Sequence, residues 1–440
     1  MQAVSLPAST RDGFGSKFAA SAIALWLEPL HTLIAIPTLL FLLALVTMLA
    51  WHPDVPSHEI NRITFAILVL AVVARAVVLR QRPFVLERAS WPMIGLTALA
   101  LASLIGRPLD TESWALLVAK CGVPFTVFHL ARLAFSQEKQ LRQFEIVVMA
   151  VLAYLSFTSI AFLVGAHSLI FPRFILDPSL GIQAERARGP LLQAVANGVS
   201  LNMLGLLALH SYRRGRARGM WVVLLLASVP VAILATMTRA VWLSFTGTVL
   251  ALIVLSKSRL LRRSCIGLVL VGGLGLAAVL TCTGLGGALT DRLEERQPVE
   301  YRQAVYAGGW QMFLERPLLG WGFHQMPAEL PRFVSEYQDK VLYPHNTYLE
   351  VLVELGLMGL ALYIWLMWEL LRLARGAIPP RENEGFLDSE FHRMWPILLG
   401  IYWVNAAVVV MSYHFVNALL FTMAGMLAAQ RRRAEFPRSC

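Results

Sequence analysis

The sequence predicts an all-α polytopic membrane protein of about twelve transmembrane helices, and three observations predict it. Hydrophobic residues make up 57% of the 440-residue chain, charged residues only 15%, and the mean hydropathy is +0.62. A soluble domain carries roughly a quarter charged residues, so this much apolar surface has no place in one water-solvated core. The apolar residues gather in runs near the length of about twenty that crosses a hydrocarbon core as a helix. Lys and Arg, finally, collect in alternate connections between those runs, the pattern that orients membrane helices.

In chain order the runs lie near 32–51, 62–80, 91–106, 113–134, 144–165, 191–211, 220–238, 240–256, 264–284, 347–374, 395–411 and 414–430. Residues 18–27 are apolar too, but they are too short to span and end at Glu28-Pro29, which marks an interfacial segment. No cleavable signal pattern precedes them, so the first helix is expected to act as an uncleaved signal. Every span must be helical, because lipid offers no partner to a free backbone group. With the N-terminus inside, the cytoplasmic segments hold roughly twice the Lys and Arg of the other face. Arg213, Arg214, Arg216 and Arg218 fill one inner connection, and Lys257, Arg259, Arg262 and Arg263 another, while Arg75 and Lys120 fall within spans. Both termini are therefore expected to be cytoplasmic. The layout has three parts: helices with short loops over 1–284, a long outer loop over 285–346, and the last helices with a tail over 347–440.

A formal charge of +11 raises the question of nucleic acid. The basic runs alternate with spans, so they are read as cytoplasmic loops and no nucleic-acid partner is expected. Cys121, Cys265, Cys282 and Cys440 show no metal-ligand spacing, which argues against a disulfide framework and a cysteine zinc site. No internal repeat supports an inverted-repeat transporter. The long outer loop is the conspicuous feature, since loops of that length are usually functional. Arg302, Tyr306, Trp310 and Phe313 recur in it at helical spacing, predicting an amphipathic helix that Pro317 ends before a turn at Gly320-Trp321-Gly322.

Three groups of residues fall on the same outer side. Glu185-Arg186-Ala187-Arg188-Gly189-Pro190 precedes the span at 191. It is either a charged helix end or, since arginines are odd at a helix's positive end, an anion site for a pyrophosphate. Gly189 favours Arg188 as the phosphate-binding residue, because it lets a phosphate approach the backbone. Arg239 sits in the tight turn at Thr238-Arg239-Ala240, and either snorkels to the surface or points into the bundle. His345 follows Pro344 at the start of the tenth span, as a structural group or as a base. Glu350 and Glu354 lie one and two turns deeper on one face, and ionisable groups inside a span are functional candidates. Gly356 and Gly359 on that helix allow close packing.

His345-Asn346 followed by Gly356-x-x-Gly359 resembles the histidine motif of the bacterial O-antigen ligases, which join O-polysaccharide to lipopolysaccharide. Related O-antigen polymerases and protein O-oligosaccharyltransferases form the same superfamily. Arg302…Trp310…Arg316-Pro317-Leu318-Leu319-Gly320-Trp321-Gly322 resembles the element before that histidine, Arg186-Ala187-Arg188-Gly189 with Asn197 the arginine-glycine element, and Thr238-Arg239 the Ser/Thr-Arg turn. The sequence departs from the common form after Gly189, where an Asn-Pro-Asn-like run is missing, so the family arginine is either Arg186 or Arg188. The chain also ends soon after its last span, which tilts the acceptor toward a lipid-linked one.

The resemblance implies a GT-C-like glycosyltransferase of the inner membrane with its site facing the periplasm. The donor would be undecaprenyl-pyrophosphate-linked O-polysaccharide and the acceptor a sugar hydroxyl of lipid A–core. His345 would be the base, Arg186, Arg188, Arg239 and Arg302 would hold the pyrophosphate, and Asn346, Glu350 and Glu354 would support them. No cofactor is expected. The outer carboxylates Asp54, Glu59, Asp110 and Glu112 form no Asp-x-Asp, so metal-independent, inverting displacement is expected. The alternatives are an O-antigen polymerase, a protein O-oligosaccharyltransferase and, outside the enzymes, a transporter of anions or lipid-linked sugars.

Overall fold

The computed structural model describes residues 37–50, 57–78, 85–107, 110–268, 270, 287, 297–334, 342–375 and 385–435. Among them there are helices and turns and no strand. The helices used below are α1 (Pro37–Ala50), α2 (Ser57–Val78), α3 (Ser90–Leu104), α4 (Thr111–Ala134), α5 (Glu138–Leu163), α6 (Ala194–Arg213), α7 (Met220–Ala235), α8 (Arg239–Leu255), α9 (Gln297–Glu315), α10 (Thr347–Arg372), α11 (Ser389–Ala406) and α12 (His414–Glu435).

The all-α class holds, but the twelve-span expectation does not. Among the described residues four helices are long and apolar enough to cross a membrane: α4, α5, α6 and α10, the last continuing to Arg375. Two physical effects account for part of the excess. Several apolar runs stop short of a span: α3 has 15 residues, α7 has 16 and α8 has 17, while α1 is also among the shorter apolar helices. α11 and α12 instead carry polar groups at positions that protein encloses. Residues 415–430 of α12 are all buried, Asn417 and Gln430 donate to the Met411 and Leu387 carbonyls, and Gly425 lies against the Phe128 carbonyl of α4. In α11, Asn405 is buried and donates to the Ile401 carbonyl. The GT-C-like architecture is withdrawn with the count. The interfacial segment at 18–27 and most of the run at 264–284 lie outside the described residues.

Short polar side chains start the helices that matter for the site. Asp110 accepts from the Ser113 amide and hydroxyl at the head of α4 (3.1 and 2.6 Å), and Asp388 accepts from the Glu390 and Phe391 amides at the head of α11 (3.0 and 2.9 Å). Gln137 and Gln140 form a capping box on α5. Asp110, one of the outer carboxylates, is thus a helix cap that also pairs with Arg107 at 3.1 Å.

The expected tenth span is not one continuous helix. Gly356, at φ 65° and ψ −164°, breaks α10 into 347–355 and 357–372. The segment 317–322 lies along the break and takes up its open backbone groups. The Trp321 and Gly322 amides donate to the Val353 and Glu354 carbonyls (3.0 and 2.8 Å), and the Leu357 and Met358 amides donate to the Pro317 and Leu318 carbonyls (2.8 and 3.3 Å). A Cβ on Gly356 would sit 2.2 Å from the Leu318 carbonyl oxygen. Only glycine tolerates that backbone region, which costs other residues about 1–3 kcal/mol. Gly356→Ala should therefore lower the thermal unfolding midpoint in detergent, whereas Gly247→Ala, which meets nothing within 4 Å, should not. Equal midpoints would remove this account of the break.

Candidate active site

His345 stands at the head of the first half of α10, held by contacts on both sides. It has φ 45°, and the Asn346 side chain next to it caps α10, accepting from the Tyr348 and Leu349 amides at 3.0 and 3.1 Å. Thr347 donates to the Val409 carbonyl and accepts from the Met411 amide, both at 2.9 Å, which ties this end to the connection between α11 and α12. On the other side the Tyr343 amide donates to the Tyr301 hydroxyl of α9 at 3.0 Å, and the Tyr301 ring lies edge-on to His345 at 5.8 Å. Arg302 follows Tyr301. Burial first, and the Arg302 charge second, push the His345 imidazole below the ordinary histidine range, which favours its neutral form. Among the described residues its nitrogens carry no hydrogen bond and Arg302 makes no ion pair. A neutral imidazole with an open lone pair beside a cation is suited to take a proton from a group next to an anion.

Arg186 and Arg239 form a second group. The Ala187 amide donates to the Ala235 carbonyl at 3.2 Å, and buried Asn197 donates to the Ala187 carbonyl at 2.8 Å. The 185–189 loop is thereby fixed to the end of α7, just before the turn that carries Arg239. Arg186 is lowered from the usual arginine range by burial first, the Arg239 charge adding to it and its pair with Glu185 (3.0 Å) opposing it. Two cations near each other in a partly buried place favour an anion between them.

Arg188 takes a different place from the one expected of it. Its side chain is 1% exposed, and its guanidinium donates to the Ile175, Asp177 and Leu180 carbonyls. Those groups belong to the turns after α5, so Arg188 holds the 173–192 loop together from inside. The start of α6 is likewise buried at Ala194, Ala196 and Asn197. The expected cradle of Arg188 and open helix amides is therefore turned inward, and the charges fall into two pairs, Arg186 with Arg239 and Arg302 with His345.

Glu350 and Glu354 do lie together, and they meet a residue that the sequence left unassigned. Lys120 of α4 pairs with Glu350 at 2.9 Å, and its ammonium lies 5.5 Å from the centre of the Phe323 ring. It stands in the π-helical turn Val118–Gly122, an irregularity frequent at functional sites. Lys120, Glu350, Glu354, Tyr402 and Asn417 line a cavity of about 100 Å³, and Glu354 Oε1 and Asn417 Oδ1 have no partner there among the described residues. The signal for Lys120 was its charge inside a span, because such a group needs a partner of opposite charge in another span. Tyr301 was missed as well, having no charge to mark it.

No curated protein matches the chain. Residues 221–364, about a third of its length, match the family model described as O-antigen ligase. The matched stretch contains Arg239, Arg302, His345, Asn346, Glu350, Glu354 and both sides of the broken helix, and it leaves Arg186 and Arg188 outside. With its apolar helices, the match supports a membrane-associated enzyme of the O-antigen ligase type. Over residues 221–364 the chain is similar to the O-antigen ligase family.

Proposed function

We propose that this protein is a multi-pass enzyme of the bacterial inner membrane that transfers O-polysaccharide from undecaprenyl pyrophosphate to a sugar hydroxyl of lipid A–core on the periplasmic side. The observation that carries this reading is the place of the His345 imidazole, beside Arg302 and without a hydrogen bond among the described residues, within the matched stretch. The acceptor hydroxyl gives its proton to an imidazole nitrogen as its oxygen bonds to the anomeric carbon. The bond from that carbon to the pyrophosphate oxygen breaks on the opposite face, so the configuration inverts. The departing pyrophosphate gains charge, which Arg186, Arg239 and Arg302 stabilise with planar, multidentate guanidinium groups. Arg188 keeps the loop that carries Arg186 in shape.

Purified protein reconstituted with lipid-linked O-polysaccharide and rough lipopolysaccharide tests the reading. Appearance of polysaccharide on the lipopolysaccharide supports it. A longer glycan still on the lipid would mark a polymerase, and movement of lipid-linked sugar without transfer a transporter. Since the arginines balance the pyrophosphate charge, transfer should survive exhaustive chelation; loss restored by magnesium or manganese would return attention to the carboxylates. The pH profile gives a further check. A base must be unprotonated, so the rate should be full above the His345 pKa and fall on its acid side, below the ordinary histidine value. Arg302→Gln removes a charge that holds this pKa down, so its acid limb should move to higher pH. An unmoved limb would mean that His345 is not the group that titrates.

A further inference from the structure

At the opposite end of the bundle, α5 and the start of α7 enclose a trough of about 380 Å³ that the transfer reaction does not use. Its wall is apolar: Ile146, Met149, Ala150 and Ala153 of α5 face Trp221 of α7. Ile146 is 60% exposed and Trp221 57%, so this wall is open to the surroundings of the bundle. Arg142 and Arg216 stand in the same lining. Arg142 is exposed and makes no ion pair among the described residues. Arg216 shares Glu138 with Arg214 (2.8 and 3.2 Å), and Arg214 also pairs with Glu145 at 3.0 Å. Arg142 thus places a positive charge beside the apolar wall that no carboxylate pairs with among the described residues. Glu145 lines the trough as well: its Oε1 also accepts from the Ser211 hydroxyl at 2.9 Å, and its Oε2 has no partner among the described residues.

We propose that this trough binds one anionic phospholipid of the cytoplasmic leaflet, its phosphate between Arg142 and Arg216 and one acyl chain along the α5 wall. An apolar furrow ending in cations, with a tryptophan at the interface level, matches a lipid with a charged headgroup and a hydrocarbon tail. A soluble anion would have no use for the apolar wall, and a zwitterionic lipid would gain nothing from the Arg142 charge. The leaflet follows from the basic inner connection at Arg213–Arg218.

Native mass spectrometry of the full-length protein in detergent, titrated with phosphatidylglycerol or with phosphatidylethanolamine of the same chains, tests it. Phosphatidylglycerol should be retained in preference. Each basic group near an anionic lipid accounts for about a fivefold change in affinity, so Arg142→Gln should weaken phosphatidylglycerol about fivefold and Arg142→Gln/Arg216→Gln about thirtyfold. Arg142→Gln removes no ion pair, so it keeps the test valid if the double variant does not fold. Arg262→Gln, in the next basic connection, removes the same charge outside the trough and should change binding less than twofold. Equal retention of the two lipids, or an equal loss in Arg262→Gln and Arg142→Gln, would overturn the proposal.

Discussion

His345→Ala should lower the rate of glycan transfer by about 10²- to 10⁴-fold while the protein still binds the lipid-linked donor. In the proposed mechanism the imidazole acts only as the acceptor hydroxyl attacks, so its removal would touch the transition state and not the bound donor. The variant should also fold. Asn346, not His345, caps α10, and Thr347 keeps its bonds to Val409 and Met411, so the helix start loses no hydrogen bond. Alanine does keep the backbone cost of φ 45°, which a His345→Gly control removes. Single-turnover transfer and donor binding measured on the same preparation separate the outcomes. Near-normal transfer by a folded, inserted His345→Ala would leave the histidine as an acceptor contact and end its role as base. Loss of donor binding together with transfer would instead make it part of the pyrophosphate site.

The parts of this protein that were legible from sequence are those that depend on local chemistry. The apolar excess pointed to a membrane helix bundle, and Pro344 before an apolar run placed His345 at a helix start, although the sequence reading did not make Asn346 its cap. Gly356 marked a close approach, although the neighbour is the loop segment 317–322 and not another helix. Span counting failed because hydropathy does not distinguish a helix solvated by lipid from one solvated by protein. α12 is enclosed along 415–430 and buries Asn417, Thr422 and Gln430, so its composition reports the protein around it. Arg188 was misleading for a related reason. Its partners are the carbonyls of Ile175, Asp177 and Leu180, in turns without periodicity, and no pattern in the chain announces a backbone acceptor. Lys120 and Glu350 were each visible as charges inside spans, but the facing of α4 against α10 is a tertiary fact.

That facing can be tested through the ion pair itself, and Lys120→Met should destabilise the protein more than Gly356→Ala does. Lys120 and Glu350 are 17% and 9% exposed in their side chains, so little water is at hand to solvate either charge. Removing one partner of a buried pair typically costs about 3–5 kcal/mol, because the other charge stays behind unpaired. The stranded charge would here be Glu350, one turn from Glu354, whose Oε1 already lacks a partner among the described residues. The loss should appear as a lower unfolding midpoint in detergent and as weaker transfer, since Glu350 belongs to the half-helix that presents His345. Replacing both partners removes the stranded charge, and a well-packed neutral pair is often no worse than the ions. Lys120→Met/Glu350→Gln should therefore unfold later than Lys120→Met and recover part of the transfer rate. If the double variant is as unstable as the single one, the cost lies in the lysine side chain's other contacts, its ammonium over Phe323 among them, and not in the stranded carboxylate. If Lys120→Met matches the parent protein, the pair does not hold α4 to the first half of α10.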